Sequence, residues 1–236
     1  GAIGCGIASA VTMWLMMFVM VIYVWRQPIY RPLKIFERVA PFRLPVLKEI
    51  LVLGAPIAVT ISAEAGLFSA VSILIGTRGA DITAAHQIAL NFAATMFMIP
   101  LALSAATTVR IGHALGKGDV HAARLGGLVG IFNCGVFMAF SATFLVLFRD
   151  VVVGVYTNDP AVTEIAISLL LMAAVFQVAD GVQIGAAGAL RGYKDTRVPM
   201  FINTFSYWVL GFTLAYLAAI TYRAPPAYIW AGFVLG

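Results

Sequence analysis

Long apolar runs, separated by short charged joints, recur along the whole chain. A helix needs roughly 20 apolar residues to cross about 30 Å of hydrocarbon, and six of the runs are long enough to do so. They cover residues 1–25, 50–77, 82–108, 125–148, 161–190 and 199–222, and a seventh run begins near Ala227. With 62% hydrophobic and 11% charged residues, the chain is too apolar to be a water-soluble globule. The sequence therefore predicts an all-α, polytopic bundle of transmembrane helices.

The positions of the basic residues predict the orientation of this bundle. If the joint of residues 26–49 is cytoplasmic, only Arg78, Arg149 and Arg223 fall on the outer side. The other basic residues fall on the inner side: Arg26, Arg31, Lys34, Arg38, Arg43, Lys48, Arg110, Lys117, Arg124, Arg191, Lys194 and Arg197. Cytoplasmic joints of membrane proteins carry such an excess. The net charge of +5 then follows from topology, so we predict no nucleic-acid partner.

The joint of residues 26–49 is the longest in the chain and contains Pro28, Pro32, Pro41 and Pro45. Its prolines argue against one continuous helix, and its mixture of basic and apolar side chains suits a segment along the inner headgroups. We interpret it as a connection between two halves of a larger bundle, with a plain long loop as the alternative. The last apolar run ends after about ten residues, too few to cross a bilayer. We therefore expect the chain to be an internal piece of a longer protein.

Glycines recur four residues apart within the runs, a spacing that lets helix backbones approach closely in lipid. The pairs are Gly126 and Gly130, Gly181 and Gly185, and Gly188 and Gly192. Pro56 and Pro100 lie inside predicted spans, where each removes a backbone donor and favours a kink. We expect a closely packed bundle in which Pro56, Gly181 and Gly185 allow helices to bend or slide.

Two acidic residues, Glu64 and Asp180, lie deep within predicted spans, whereas the other acids lie in joints or near span ends. A carboxylate at the middle of a span costs about 2.5–3.5 kcal/mol, so it normally faces a cavity or a partner. Along a helix, Glu64 lies ~22 Å from Glu49, and Asp180 lies ~16 Å from Arg191. Measured from the same membrane face, both positions are near the midplane. We therefore expect the two acids to face one cavity.

Polar and aromatic side chains accompany the acids on successive helical turns. Three lines share a helix face each: Pro56, Thr60, Glu64 and Phe68; Gln87, Asn91 and Thr95; and Gln177, Asp180 and Gln183. We interpret these rows of side chains as the lining of a water-filled interior of the bundle. Hydrogen bonding that merely joins helices is the alternative.

Acids at this depth can bind a proton, coordinate Na⁺ through oxygen atoms, or pair with a cationic substrate. Competition between ion and substrate for one site is the physical basis of an antiporter, because each stabilises a different conformation. The cysteines and histidines are scattered, and no nucleophile–base pair or metal cluster has usable spacing. Residues 112–118, GHALGKG, lack the spacing of a phosphate-binding loop and are interpreted as a helix end and a turn. We predict no enzyme activity and no resident cofactor, and Na⁺ or H⁺ only as a transported ion.

Four segments, taken in order, carry a resemblance to a known family. They are residues 54–68 (GAPIAVTISAEAGLF), 86–92 (HQIALNF), 109–118 (VRIGHALGKG) and 177–196 (QVADGVQIGAAGALRGYKDT). Together they resemble the multidrug and toxic compound extrusion (MATE) family, specifically its bacterial NorM-like branch, in both order and spacing. The resemblance covers nearly the whole chain, and LRGYKDT is its most specific part.

The resemblance implies a transporter of twelve helices in two six-helix lobes. Residues 1–25 would be the last helix of the first lobe, residues 26–49 the cytoplasmic linker, and residues 50–236 the second lobe with a truncated last helix. It also implies a multi-pass protein of the bacterial inner membrane that exports cationic, aromatic small molecules in exchange for Na⁺ or H⁺. Its partners would be those substrates, membrane lipids and the first lobe of the same polypeptide.

The resemblance also implies roles for particular residues. Glu64 and Asp180 match acids that serve cation binding in NorM-like members, and Gln87 and Asn91 match the polar motif on the following helix. The expected lining of the cavity is Thr60, Phe68, Gln87, Asn91, Phe176 and Gln177. Phe176 stands where sodium-binding members are expected to have a tyrosine; its ring has no hydroxyl oxygen but can face a cation with its π surface. This departure weakens a sodium assignment and leaves the proton open.

Two alternatives to a drug exporter follow from the same residues. A flippase for lipid-linked saccharides, from the same superfamily, would favour a basic cavity, whereas the deep residues here are acidic. A non-transport membrane enzyme would need a catalytic group that the spacing of the residues does not provide.

Overall fold

The computed structural model describes residues 2–33 and 43–235, and all regular structure in these ranges is helical. Six of the helices are long and apolar enough to cross a membrane, as the sequence predicts. The chain divides into two compact units, Gly1–Leu47 and Lys48–Gly236. Residues 34–42 of the predicted linker lie outside the described ranges.

The first unit contains helix α1, Ala2–Arg26, and a short 3₁₀ helix, Pro28–Leu33. The described side chains of α1 are exposed along nearly its whole length, from Ile3 to Trp25. A helix that is apolar on all sides suits a lipid or protein environment on every face. The prediction of a span over residues 1–25 is thus confirmed, and its assignment to a first lobe stays a prediction.

The second unit contains α2 from Lys48 onward and all of helices α3 to α7. They are α2 (Leu44–Gly76), α3 (Ala80–Gly116), α4 (Val120–Tyr156), α5 (Pro160–Gly192), α6 (Arg197–Thr221) and α7 (Pro226–Leu235). Helices α3 and α4 have 37 residues each. Such a helix is about 55 Å long, so it extends well beyond the hydrocarbon core.

These helices are longer than the predicted spans because charged residues continue them past the apolar core. Arg110 and His113 lie within α3, although the sequence analysis placed them in a joint. Helix α2 begins at Leu44, so the last residues of the predicted linker are helical. Pro45 is tolerated there because the first turn of a helix needs no backbone N–H donor.

The turns between helices follow standard capping chemistry. The α3–α4 turn closes with hydrogen bonds from Gly118 N to Leu115 O (3.0 Å) and from Asp119 N to Ala114 O (3.0 Å). This is a Schellman motif, and its left-handed residue is Gly118, at φ 77°. Asp119 then caps α4 by accepting a hydrogen bond from Ala122 N at 2.8 Å. The interpretation of residues 112–118 as a helix end and a turn is confirmed.

Helices α3, α4 and α5 pack most closely, and glycines lie at their contacts. A Cβ atom at Gly130 would overlap Thr107, and one at Gly188 would overlap the Ser104 side chain and lie 2.7 Å from its carbonyl oxygen. Gly181 faces Met138 of α4 at similarly short range. The packing role that the sequence predicts for these glycines is therefore present at Gly130, Gly181 and Gly188.

The prolines do not interrupt their helices. Helix α2 continues through Pro56 and α3 through Pro100, while the backbone of α4 leaves helical geometry at Phe148 (φ −116°, ψ 21°). The helices continue through both prolines, and the kink that each proline favours stays a prediction. Bending of α2 at Pro56 during transport stays a prediction.

Candidate functional site

A cavity of about 450 Å³ lies between α2, α3 and α5. Helix α2 faces it with Ile61, Glu64, Ala65 and Phe68, and α5 faces it with Phe176, Gln177, Asp180, Ile184 and Arg191. The side that α3 contributes is entirely apolar: Leu90, Ala93, Ala94, Phe97, Met98 and Leu101. The cavity is therefore lined mainly by apolar side chains with a few polar groups, which is the usual composition of a small-molecule site.

The structure brings Glu64 and Asp180 to this one cavity, from α2 and α5 respectively. Asp180 is 7% exposed and Glu64 is half-buried. Within residues 2–33 and 43–235, neither carboxylate has a hydrogen bond or an ion pair. Two acids in an apolar space without a permanent counter-charge form a site that a cation or a proton can occupy.

Arg191 also reaches the cavity, but its guanidinium binds other groups. Its Nη2 donates to Ser104 Oγ at 2.9 Å, and its Nε donates to Ala187 O at 3.3 Å. Ser104 Oγ in turn donates to Ile184 O at 2.7 Å. Arg191 is thus held against α3 and its own helix, and the carboxylates remain available to a ligand.

Gln177 has a buried side-chain amide whose oxygen and nitrogen differ in their hydrogen bonding. Its Oε1 accepts a hydrogen bond from Ser141 Oγ at 2.8 Å, whereas its Nε2 has no partner among the described residues. Gln177 is 1% exposed and lines the cavity. A buried, unpaired N–H is a donor that a ligand in the cavity can satisfy.

Three phenyl rings meet beside the acids. The centroid of the Phe68 ring lies 4.7 Å from that of Phe233 and 6.1 Å from that of Phe176. Phe233, on α7, carried no signal in the sequence because its run is short and uniformly apolar. Phe68 and Phe176 line the cavity and offer their rings to an aromatic or cationic ligand, whereas Phe233 is buried and packs against them.

A buried histidine fixes the position of Phe68. Trp230 Nε1 can only donate, so His86 Nδ1 accepts its hydrogen bond at 3.1 Å and Nε2 carries the proton. Nε2 lies 2.9 Å from Ser72 Oγ, which donates to Phe68 O at 2.8 Å. This chain links α2, α3 and α7, and the sequence analysis had assigned His86 no role.

A smaller cavity of about 40 Å³ lies on the other side of Glu64. Thr60, Gln183 and Asn203 are among its polar neighbours. The Thr60 hydroxyl is already used, because it donates to Pro56 O at 3.0 Å. Gln183 Nε2 donates to the Tyr207 hydroxyl at 2.8 Å. This volume is large enough to hold a water molecule beside the carboxylate.

The structure differs from the expectation at Gln87 and Asn91, which are exposed and do not line either of these cavities. Gln87 lies about one turn before Leu90, the first α3 residue of the larger cavity. Asn91 lies at the level of Leu90 and Ala94, but at the edge of the α3 face that borders this cavity. Asn91 Oδ1 accepts a hydrogen bond from the Tyr156 hydroxyl at 2.9 Å. The spacing therefore placed the two amides on one face of α3, but that face meets the cavity only at its edge.

Gly181 and Gly185, proposed as flexible points, lie at the α4–α5 contact. A Cβ atom at Gly181 would lie 2.5 Å from Met138 Cγ, and one at Gly185 would lie 3.0 Å from Ile131 Cα. Both are therefore required for close packing, and a bending role stays a prediction.

Comparison of the amino-acid sequence with known proteins identifies a family. The MatE family model matches residues 56–217. The chain is 45% identical, over its whole length, to a probable multidrug resistance protein NorM of Xanthomonas campestris pv. campestris, of which it covers 52%. It is 40% identical to the multidrug resistance protein MdtK of Pectobacterium atrosepticum, again covering 52% of that protein. The chain thus spans about half the length of these relatives.

The fold also matches solved structures of the same family. The crystal structure of the eukaryotic MATE transporter AtDTX14 matches all of this chain and 52% of that chain, with a TM-score of 0.87 and 20% sequence identity. At that identity the likeness establishes the fold alone. With a family model that matches more than half of the residues, and with six apolar helices long enough to span a bilayer, the chain is a multi-pass protein of the bacterial inner membrane and belongs to the MatE family.

Proposed function

We propose that this chain forms half of a cation-coupled exporter of cationic, aromatic small molecules. The observation that carries the proposal is the placement of Glu64 and Asp180 in one cavity without a permanent counter-charge. An inward-moving Na⁺ or H⁺ and an outward-moving organic cation would compete for these carboxylates. The multidrug resistance names of the relatives support export of drugs, and the cavity supports the cationic, aromatic class.

The cavity has features for both parts of such a substrate. The rings of Phe68 and Phe176, packed against Phe233, suit a flat apolar ring, and the carboxylates suit its positive charge. The free Nε2 of Gln177 adds one hydrogen-bond donor. A lipid-linked saccharide carries a phosphate, which two unpaired acids would repel, so the flippase alternative is disfavoured.

Coupling follows from the change in charge at the acids. When a proton or Na⁺ occupies the site, it cancels part of the negative charge of the two carboxylates, and an organic cation is released to the outer side. When the ion departs inward, the negative charge returns and attracts the next substrate. Each ligand stabilises a different conformation, and the exchange is driven by the ion gradient.

The test is ethidium efflux from vesicles that contain the full-length protein, with Na⁺ and pH gradients imposed separately. Glu64→Gln and Asp180→Asn keep the size of each side chain and remove its charge, so each should abolish gradient-driven efflux without preventing membrane insertion. Glu164→Gln is the matched control, because this acid is exposed near the outer end of α5. Efflux at the wild-type rate by the double variant would overturn the coupling role.

A further inference from the structure

A second large cavity lies at the α3–α4 turn, away from the acids. Its volume is about 560 Å³, and its polar lining comes from Arg110, His113, Lys117 and Asp119. Arg110, His113 and Lys117 are spaced three and four residues apart, so they share one face of α3. Among the described residues, none of these three side chains has a hydrogen bond or ion pair. The charges of Arg110 and Lys117 therefore remain available to an anion.

Packing directs Arg110 into this cavity. Its side chain lies along α4 at Gly126, where a Cβ atom would be 3.6 Å from Arg110 Cγ and 3.7 Å from its Nε. Asp119 keeps its negative charge while its Oδ1 caps α4 at Ala122 N, so it offsets one of the two positive charges of Arg110 and Lys117 and leaves one in excess. The start of α4 adds the partial positive charge of a helix N-terminus. The local field is consequently positive.

An exposed apolar surface on α4 adjoins the cavity. Ala122 lines the cavity, and the same face of α4 continues with exposed apolar side chains on the next turns. These are Leu125, Val129, Phe132, Val136 and Phe140, with 48–69% of each exposed. A positive pocket that opens onto an apolar strip is complementary to a molecule with an anionic head and a hydrocarbon tail.

The level of the cavity in the membrane fits the same ligand. The distribution of Lys and Arg places the α3–α4 turn on the cytoplasmic side. Arg110 and Lys117 lie near the α3 end, at the depth of the inner headgroups, and the strip on α4 leads from there into the hydrocarbon. Basic pockets between helices at this level are a recognised form of lipid binding site.

We propose that this pocket binds the phosphate headgroup of an anionic phospholipid of the inner leaflet, with the acyl chains along the α4 strip. A soluble phosphate would use the basic residues but gain nothing from the strip. The proposal is independent of the transport function, since none of these residues lines the acid cavity.

The experiment measures binding of phosphatidylglycerol to the purified full-length protein in detergent, with phosphatidylcholine of the same acyl chains as the zwitterionic comparison. Arg110→Gln combined with Lys117→Gln removes two charges from the pocket. Each basic residue near a membrane surface contributes about fivefold in affinity, so the double variant should bind phosphatidylglycerol about 25-fold more weakly. Phosphatidylcholine binding should not change.

The matched control is Arg43→Gln combined with Lys48→Gln, which removes two exposed inner-side charges outside the pocket. It should bind phosphatidylglycerol within about twofold of wild type, because neither side chain lines the pocket. If it loses as much affinity as the pocket variant, general surface charge is responsible and the proposal is wrong. The proposal is also wrong if inorganic phosphate displaces phosphatidylglycerol at equal concentration, since the site would then take a free anion.

A single substitution tests the proposal if the double variant fails to fold. Lys117→Glu lies at an exposed helix end and reverses one charge. It should weaken phosphatidylglycerol binding more than Lys117→Gln does, while thermal unfolding stays near the wild-type value. Equal binding by wild type and Lys117→Glu would overturn the assignment.

Discussion

Asp180 keeps 7% of its surface exposed, and Glu64 is half-buried beside the same cavity. The sequence revealed both residues, because an ionisable side chain deep in an apolar run is anomalous by itself. It did not reveal Ser141 or Phe233, which are ordinary residues for a membrane helix. Their roles depend on how α4 and α7 pack against the rest of the unit, and spacing within one helix does not contain that information.

Ser141 supplies a test of the site at the scale of one residue. Ser141→Ala removes the donor to Gln177 Oε1 and leaves that buried oxygen unpaired, so unfolding free energy should fall by about 1–3 kcal/mol. The amide would also lose its orientation, and the KM for ethidium efflux should rise. Thermal unfolding and efflux of the full-length variant measure the two effects.

Ser69→Ala is the matched control for this change. Its hydroxyl is exposed and donates to Ala65 O of the same helix at 2.8 Å. Its loss should alter stability by less than about 0.5 kcal/mol. Identical unfolding temperatures for the two variants would show that the Ser141–Gln177 hydrogen bond does not support the site.

At the scale of helices, α3 and α5 are joined by small residues and side-chain hydrogen bonds to backbone. Ser104 Oγ donates to Ile184 O at 2.7 Å, and one turn further Thr108 Oγ1 donates to Gly188 O at 2.7 Å. Such hydrogen bonds bridge helices where no water competes. This seam sets the position of α5, and with it the position of Asp180 in the cavity.

Gly188→Ala tests that seam. The added methyl group would meet the Ser104 side chain and backbone of α3, so the helices must separate. Overpacking of this kind should lower the unfolding free energy by about 1–3 kcal/mol and reduce ethidium efflux, because Asp180 moves with α5. Thermal unfolding in detergent and vesicle efflux provide the measurements.

Gly54→Ala serves as the comparison, since no atom lies within 4 Å of a Cβ atom at that position of α2. Replacing a helical glycine in open space should leave stability unchanged or raise it by up to about 1 kcal/mol. Equal losses in the two variants would show that the contact with Ser104 is not the cause.

The helices also show which parts of the fold the sequence predicts. Six spans were predicted because a run of about 20 apolar residues has few alternatives to a membrane helix. Their ends were misjudged because charged residues such as Arg110 were taken as loop, whereas long helices continue into the headgroup region. The spacing placed Gln87 and Asn91 on one face of α3, but which part of that face borders a cavity depends on how the helices pack.

At the scale of the whole molecule, the described half contains an acid-lined cavity, an aromatic group beside it and a separate basic pocket. A transporter built from this half needs its acids to respond to both a coupling ion and a substrate. The two ligands are thermodynamically linked: if the ion weakens the binding of substrate, substrate weakens the binding of the ion to the same degree.

The most direct measurement is equilibrium binding of ethidium to the purified full-length protein at graded Na⁺ concentrations and at graded pH. For wild type, the apparent affinity should fall about tenfold for each tenfold rise of the coupling ion above its own dissociation constant, as expected for competition at one site. The variant carrying Glu64→Gln and Asp180→Asn should show neither dependence. Wild-type binding that is insensitive to both ions, or a double variant with the same ion dependence as wild type, would contradict the account.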